Sequence, residues 1–206
     1  GQHSPPAPPV RARGGPVVAW WHTMAAAGPL VNIFFGSQSG TAECFSEELR
    51  DEAAENDIQA QVVDLQTFTP EGFAGCRIVV LVVSTYGDGE PTDNAVEFHK
   101  WASDPRNDAA APLRGQRFCV MGLGDMNYAR FNNMGQMTDV NLERLGGKRL
   151  YKRGIGDDSQ DIAEDFKRWK GDGLWASLKQ AIAEVQREGP GASPAPLAAT
   201  ARPAAA

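Results

Sequence analysis

The chain has 206 residues, 42% of them hydrophobic, which suits one globular domain with terminal arms. Its 26 Asp and Glu against 20 Lys and Arg give a net charge of -6, which argues against a surface that coats nucleic acid, because phosphate backbones are bound through excess basic residues. Three cysteines without a Cys-x-x-Cys spacing argue against both a disulfide framework and a cysteine-based metal site.

Both ends of the chain have the composition of arms. Six of the 14 prolines fall in residues 1–29 and four in 189–206, and Ala, Pro and Gly make up 14 of the last 18 residues. Such segments bury too little apolar surface to offset the entropy lost on ordering. We therefore predict a disordered or loosely packed N-terminal arm over 1–29, a folded domain over 30–188 and an Ala/Pro/Gly-rich linker over 189–206.

The N-terminal arm contains one apolar segment, Val17–Trp21. It is too short to span a bilayer, which takes about 20 apolar residues. A signal peptide would not follow a proline-rich stretch of this kind. We expect a cytoplasmic protein, with no membrane anchor in this chain.

Apolar segments alternate with helical patterns along residues 30–188, which indicates a doubly wound α/β sandwich with a parallel sheet. The predicted strands are Leu30–Phe35, Ala60–Leu65, Ile78–Val83, Phe118–Met121 and Arg149–Tyr151. The predicted helices cover about 42–56, 93–104, 134–146 and 161–187. Ligands of such folds bind outside the carboxyl ends of the strands, so the loops at those ends are the candidate site.

The first of these loops has the character of a phosphate cradle. Gly36-Ser-Gln-Ser-Gly-Thr41 places three hydroxyls and a glycine directly before a helix, and a helix start offers free N–H groups to an anion. No Lys follows the glycine, so this is not a triphosphate loop, and a phosphate monoester is the natural ligand. The alternative is an ordinary helix start capped by Ser39 or Thr41.

Tyrosines follow the third and fourth predicted strands. Tyr86 lies in Ser84-Thr-Tyr-Gly-Asp-Gly-Glu90, and Tyr128 lies in Gly122-Leu-Gly-Asp-Met-Asn-Tyr128. Two aromatic side chains on adjacent loops can hold a flat ring between them by offset stacking, worth about 0.5–1.5 kcal/mol each beyond burial. A single such tyrosine would more often be a lid on the core.

Four motifs in this order, FFGSQSGTAE, VSTYGDGEPTDNA, MGLGDMNYARFN and GIGDDSQDIAEDFKRW, resemble the FMN-binding, flavodoxin-like domain of the diflavin reductases. That group includes NADPH:cytochrome P-450 reductase and the sulfite reductase flavoprotein. The resemblance covers roughly residues 30–180 and implies a five-stranded parallel sheet of order 2-1-3-4-5 with helices on both faces. It implies FMN as the cofactor, with redox chemistry on the flavin, no catalytic side chain and no metal.

The resemblance also implies which residues hold FMN. The phosphate loop comprises Ser37, Gln38, Ser39, Gly40, Thr41 and Ala42. The ring sites comprise Ser84, Thr85, Tyr86 and Gly87 after the third strand, and Leu123, Gly124, Asp125, Asn127, Tyr128, Phe131 and Asn132 after the fourth, with Asp157 as the acidic residue facing the cofactor after the fifth. Ser39 occupies a position at which Thr is commoner in this family. Asp125 occupies a position at which the microsomal cytochrome reductases have Asn. The branch of the family therefore stays open.

The implied function is transfer of single electrons from FAD and NADPH domains, expected elsewhere in a longer protein, to a haemoprotein or similar acceptor. Such a fragment alone would be an electron carrier that does not oxidise NADPH. A free-standing flavodoxin shuttle and the flavodoxin module of a radical tRNA-modifying enzyme are the alternatives.

Acidic residues are concentrated in residues 30–188, which hold all 26 acids and 17 of the 20 basic residues, a net charge of 17 - 26 = -9. Residues 84–108 contain six acids and two bases, and 157–172 contain six acids and three bases. These runs begin beside the predicted flavin, so a basic face on the acceptor is expected. The alternative is a set of solvated helix faces.

Cys44 and Cys119 are predicted to be buried thiols.

Overall fold

The computed structural model describes residues 30–189. The predicted arms over 1–29 and 189–206 lie outside the described residues, apart from Gly189, and remain predictions. The strands are β1 (Val31–Gly36), β2 (Ala60–Asp64), β3 (Ile78–Tyr86), β4 (Glu90–Pro91), β5 (Arg117–Gly124), β6 (Lys148–Arg149) and β7 (Gly154–Asp157). The α-helices are α1 (Thr41–Glu55), α2 (Pro70–Ala74), α3 (Val96–Ala102), α4 (Asn133–Arg144), α5 (Ile162–Trp169) and α6 (Trp175–Glu188).

The sheet is parallel except for the short β4, which pairs antiparallel with β3. Its order is β2-β1-β3-β5, followed at the edge by β6 and β7, which both pair with β5. The predicted order 2-1-3-4-5 is confirmed, with β5 in the fourth position and β6 and β7 together in the fifth.

The fifth strand is divided, and the prediction of one strand over Arg149–Tyr151 was wrong in its extent. β6 pairs with the start of β5 at Arg117 and β7 with its end from Met121 onward. Between them the indole of Trp169 donates to the carbonyl of Lys152 at 2.9 Å, and the hydroxyl of Tyr151 donates to the carbonyl of Trp169 at 3.1 Å. The chain there bonds to α5 instead of continuing the ladder.

The helix predicted over 161–187 is interrupted. α5 and α6 are joined by a π-helical segment, Lys170–Leu174, in which Gly173 has a φ of 137°. A residue with a side chain is strained at that φ, so the Gly-Asp-Gly sequence at 171–173 ends one helix and starts the next. The short helix α2 was missed by the sequence reasoning, although Thr69 caps it by accepting from the Gly72 amide at 3.2 Å.

Two apolar layers cover the sheet. Ile78, Val80 and Val82 of β3 face α1, α5 and α6, while Val79, Leu81 and Val83 face the layer that contains Phe73, Phe98 and Leu142. All six β3 residues are buried, as expected for a central parallel strand covered on both faces. Because both faces are filled, the carboxyl edge of the sheet is the part left to bind a ligand. Within residues 30–189 no helix combines the length and the hydropathy needed to cross a bilayer.

Candidate functional site

The predicted site residues meet at one edge of the sheet. β1, β3, β5 and β7 run parallel and end at Gly36, Tyr86, Gly124 and Asp157. Every residue in the predicted set lies at one of these strand ends or in the segment that follows it. The structure therefore brings the four sequence motifs together.

The loop before α1 leaves the helix start without a side-chain cap. Gly40, the residue that precedes the helix, is left-handed with a φ of 95°, and no side chain of the described residues caps the N–H groups of the first turn. The alternative of an ordinary start capped by Ser39 or Thr41 is thus wrong. Their hydroxyl oxygens lie 3.4 Å apart, and Ser37 Oγ accepts from the Gly40 amide at 3.0 Å. This arrangement leaves polar groups for an anion.

A neighbouring segment fixes the position of this loop. The Ser37 amide donates to Asn94 Oδ1 at 3.0 Å, and Asn94 Nδ2 donates to Asp64 Oδ1 at 2.8 Å. Gln38 Nε2 donates to Asp93 Oδ2 at 3.1 Å, and the Asp93 amide donates to Gln38 Oε1 at 3.2 Å. The sequence reasoning missed Asn94 and Asp64 as supports of the loop, and its only signal for them was that Asn94 belongs to a motif of the resemblance.

Tyr86 and Tyr128 are the most exposed aromatic side chains of the described domain at this edge, with exposed fractions of 50% and 61%. Tyr86 is the last residue of β3, and Tyr128 lies in the segment that follows the adjacent strand β5. Gly87 has a φ of 51° and Gly89 one of 102°, conformations that favour glycine. Exposed aromatic rings beside an uncapped helix start suit a ligand with a flat ring and a phosphate.

Hydrogen bonds tie the Tyr86 strand to α4. Thr85 Oγ1 accepts from the Met134 amide at 3.1 Å, so a residue of β3 caps the start of α4. Asn133 Nδ2 donates to the Gly89 carbonyl at 2.7 Å. The two tyrosine-bearing segments are therefore held as one unit.

Asp157 holds the segment that carries Tyr128 through hydrogen bonds. It is only 5% exposed, and Asp157 Oδ1 accepts from the Met126 amide at 2.9 Å and from the amide and hydroxyl of Ser159 at 3.0 and 2.8 Å. The Met126 amide is the main cause that holds the pKa of this carboxyl below its ordinary value, with Ser159 adding to it. Contact between Asp157 and a cofactor stays a prediction.

The remaining residues of the predicted FMN site differ in their burial and in their hydrogen bonds. The Leu123 side chain is buried in the apolar core, so it presents no apolar surface to a ligand. Asp125 Oδ1 accepts from the Asn127 amide at 2.8 Å and shapes the turn before Tyr128. Asn132 is buried at 3% exposure and left-handed, with a φ of 54°.

Two further predictions concern cysteines. Cys119 is buried as predicted, and desolvation raises the pKa of its thiol well above the ordinary value. Cys44 is exposed, so its prediction was wrong. The buried stripe of α1 is formed by Ala42, Phe45, Ser46, Leu49 and Ala53, which leaves residue 44 on the solvent side. Among residues 30–189 no group of three or more His, Cys, Asp and Glu side chains is placed to hold a metal ion.

The family model described as Flavodoxin matches residues 33–169. The chain is 40% identical over 147 residues to an NADPH–cytochrome P-450 reductase of Dictyostelium discoideum, covering 71% of this chain and 22% of the relative. It is 34% identical over 169 residues to the rat enzyme of the same name, covering 80% and 24%. The chain thus matches about a quarter of the length of these relatives.

Solved structures show the same fold. A flavodoxin mutant from Pseudomonas aeruginosa matches with a TM-score of 0.61 and 22% identity, covering 75% of this chain and 99% of that one. The flavodoxin of Streptococcus pneumoniae matches with a TM-score of 0.60 and 24% identity, covering 76% and 99%. At these identities the similarity establishes the architecture.

Proposed function

Because the chain belongs to the flavodoxin family, its folded part is an FMN-binding electron-transfer domain, and we propose that it is one module of a longer NADPH-dependent diflavin reductase. The module passes single electrons from FAD and NADPH domains in the same protein to a haemoprotein or a similar acceptor. Identity of 34–40% to reductases about four times longer than the matched segment is the observation that carries this proposal.

The phosphate end of FMN is assigned to the start of α1. The amides of the first turn have no side-chain cap from the part of the chain that the structure describes, and Ser37, Ser39 and Thr41 add hydroxyls. An uncapped helix start stabilises an anion through its N–H groups and its dipole. Ser37 and Gln38 are held by hydrogen bonds with the 3-10 turn at Asp93–Ala95, which fix the position of the cradle.

The ring end is assigned to Tyr86 and Tyr128. Their exposed faces supply stacking surfaces, and covering them removes apolar area from water. Bound FMN supplies the capacity to take up and release one or two electrons. The protein's residues hold the ring, keep water from its faces, and present the backbone beside Gly87, whose left-handed conformation lets it approach a ring edge.

The charge of the domain bears on the redox step. Residues 30–188 carry a net charge of -9, and Asp88, Glu90 and Asp158 are exposed at the site edge. A negative field opposes the placing of further negative charge on a bound ring, which lowers its reduction potential. The same field attracts an acceptor with a basic face.

The visible spectrum of the purified protein tests the cofactor, and we expect a yellow protein that releases FMN on denaturation. A colourless protein that cannot be reconstituted with FMN would contradict the proposal.

In the second test, the chain is reduced photochemically and mixed with a basic haemoprotein, with NADPH as the control reductant. We expect haem reduction after photoreduction and no flavin reduction by NADPH alone. Rapid flavin reduction by NADPH, or a haem that stays oxidised, would overturn the modular role.

A further inference from the structure

The segment that carries Tyr128 ends at Asn132, whose side chain lies in a narrow slot between β5 and α4. A Cβ on Gly122 would lie 2.2 Å from Asn132 Oδ1 and 2.8 Å from the Cα of Gly135, and a Cβ on Gly124 would lie 2.8 Å from the Asn132 amide. The slot therefore exists because three glycines surround it. Asn132 Nδ2 is buried and has no hydrogen-bond partner among the described residues.

Asn132 stands at the start of α4 but does not cap it. Asn is among the residues preferred at this position because its side chain accepts from the first helical amides. Here Thr85 Oγ1 accepts from the Met134 amide, and the Asn132 side chain makes no cap bond. Asn132 Oδ1 accepts instead from Arg153 Nη1 at 2.9 Å.

The backbone on both sides of Arg153 is fixed by hydrogen bonds. The carbonyl of Lys152 accepts from the indole of Trp169, and Gly154 begins β7 by pairing with Met121. These bonds fix the point from which the Arg153 side chain extends to Asn132. Arg153 lies in the break between β6 and β7, and from there its guanidinium reaches Asn132 at the end of the Tyr128 segment.

We propose that Arg153 is a positioning residue of the flavin site, which acts through Asn132 to hold the Tyr128 segment in its binding conformation. The inference rests on the proposed binding of FMN at this edge. Removing Arg153 leaves the buried Asn132 Oδ1 without a donor, which favours rearrangement of the segment. The measured dissociation constant rises as the fraction of protein in the competent conformation falls.

The test compares Arg153→Leu with Lys152→Leu. Lys152 is the adjacent cation, is 60% exposed and pairs with Asp172 at 3.0 Å, so its replacement removes the same charge without touching Asn132. We expect Arg153→Leu to raise the FMN dissociation constant about tenfold, and to speed amide exchange over residues 125–132 of the flavin-free protein by a similar factor. Lys152→Leu should change neither value.

A double-mutant cycle with Asn132→Gly, a residue suited to the φ of 54°, isolates the pair. In that background Arg153→Leu should have little further effect on FMN affinity. Arg153→Ala, which also lacks a donor, provides a second route if Arg153→Leu does not fold. Equal effects of the two cation variants, additive effects in the cycle, or unchanged amide exchange would overturn the proposal. Amide exchange is read without flavin, so a wild-type protein that bound no FMN would refute the proposed function separately.

Discussion

Side chains at the carboxyl edge differ in how much of their hydrogen-bonding capacity the protein itself uses. The carboxylate of Asp157 accepts from three neighbouring residues, which include Met126 and Ser159. Within residues 30–189, the Ser39 and Thr41 hydroxyls have no hydrogen-bond partner other than each other. Satisfied groups such as Asp157 fix loops, whereas the groups left over near α1 are those free to bind a ligand.

Tyr128 is the side chain whose loss most directly tests the ring site. We expect Tyr128→Ala to raise the FMN dissociation constant by about tenfold or more, because stacking of about 0.5–1.5 kcal/mol is lost together with apolar burial. Fluorescence titration of the flavin-free protein measures it. Met126→Ala is the control, since Met126 is 58% exposed on the same segment and keeps its amide bond to Asp157. An unchanged affinity for Tyr128→Ala would remove this residue from the site.

His99 makes the stability of the domain depend on pH. Its imidazole is 5% exposed, neither ring nitrogen has a partner among the described residues, and desolvation lowers the pKa from 6.5 to about 4. The unfolded chain therefore binds the proton first, so stability from the neutral ring is present above pH 6.5 and is lost as the pH falls toward 4. The loss reaches about 3 kcal/mol.

The measurement is urea unfolding at pH 7 and pH 4.5 for the wild type and for His99→Leu. Carboxylates titrate in both proteins, so the difference between the two pH dependences isolates His99. We expect the wild type to lose more stability than the variant on acidification. Equal losses would show that His99 is not desolvated in the folded state.

At the scale of elements, β5 and α4 approach so closely at one point that neither residue of the contacting pair has room for a side chain. The close pair is Gly122 and Gly135, where a Cβ on Gly135 would lie 2.6 Å from the Cα of Gly122. The contact places the start of α4 beside the end of β5, and with it the Tyr128 segment.

We predict that Gly122→Ala destabilises the domain by about 2 kcal/mol, since backbone atoms must shift to admit the methyl group. Gly171→Ala is the matched control. It lies in the π-helical segment, where a Cβ would meet nothing within 4 Å, and alanine there should be neutral or stabilise by up to about 1 kcal/mol. Urea denaturation compares the two, and equal midpoints would refute the close contact.

The sequence predicted the helices and strands better than the places where they are interrupted or connected. The wholly apolar run at Ile78–Val83 and the stripe of α1 could be recognised because burial and periodicity are local properties. The two-part fifth strand could not, since it depends on Trp169 reaching back to Lys152. Likewise, the bond from Ser37 to Asn94 joins residues 57 positions apart, and only the folded chain brings them together.

At the scale of the whole molecule, exposed acids lie both beside the predicted flavin site and away from it, which allows the electrostatic hypothesis to be tested by position. Asp88 and Glu90 are exposed beside Tyr86, while Glu55 and Asp57 are exposed at the far end of α1. One double variant carries Asp88→Asn and Glu90→Gln, and the other carries Glu55→Gln and Asp57→Asn. Each double variant raises the net charge by two. Any effect of net charge alone is therefore equal in the two proteins.

We expect electron transfer to a basic haemoprotein to slow as salt rises, because exposed charges are screened over about 10 Å at 0.1 M. At low salt the Asp88 and Glu90 pair of changes should slow transfer several-fold and flatten the salt dependence, since a local field steers the acceptor to the flavin edge. The changes at residues 55 and 57 should leave the rate near that of the wild type. Stopped-flow mixing of the photoreduced protein with the oxidised haemoprotein gives both rates. Equal slowing by the two variants would assign the attraction to overall charge and remove the flavin edge as the docking surface.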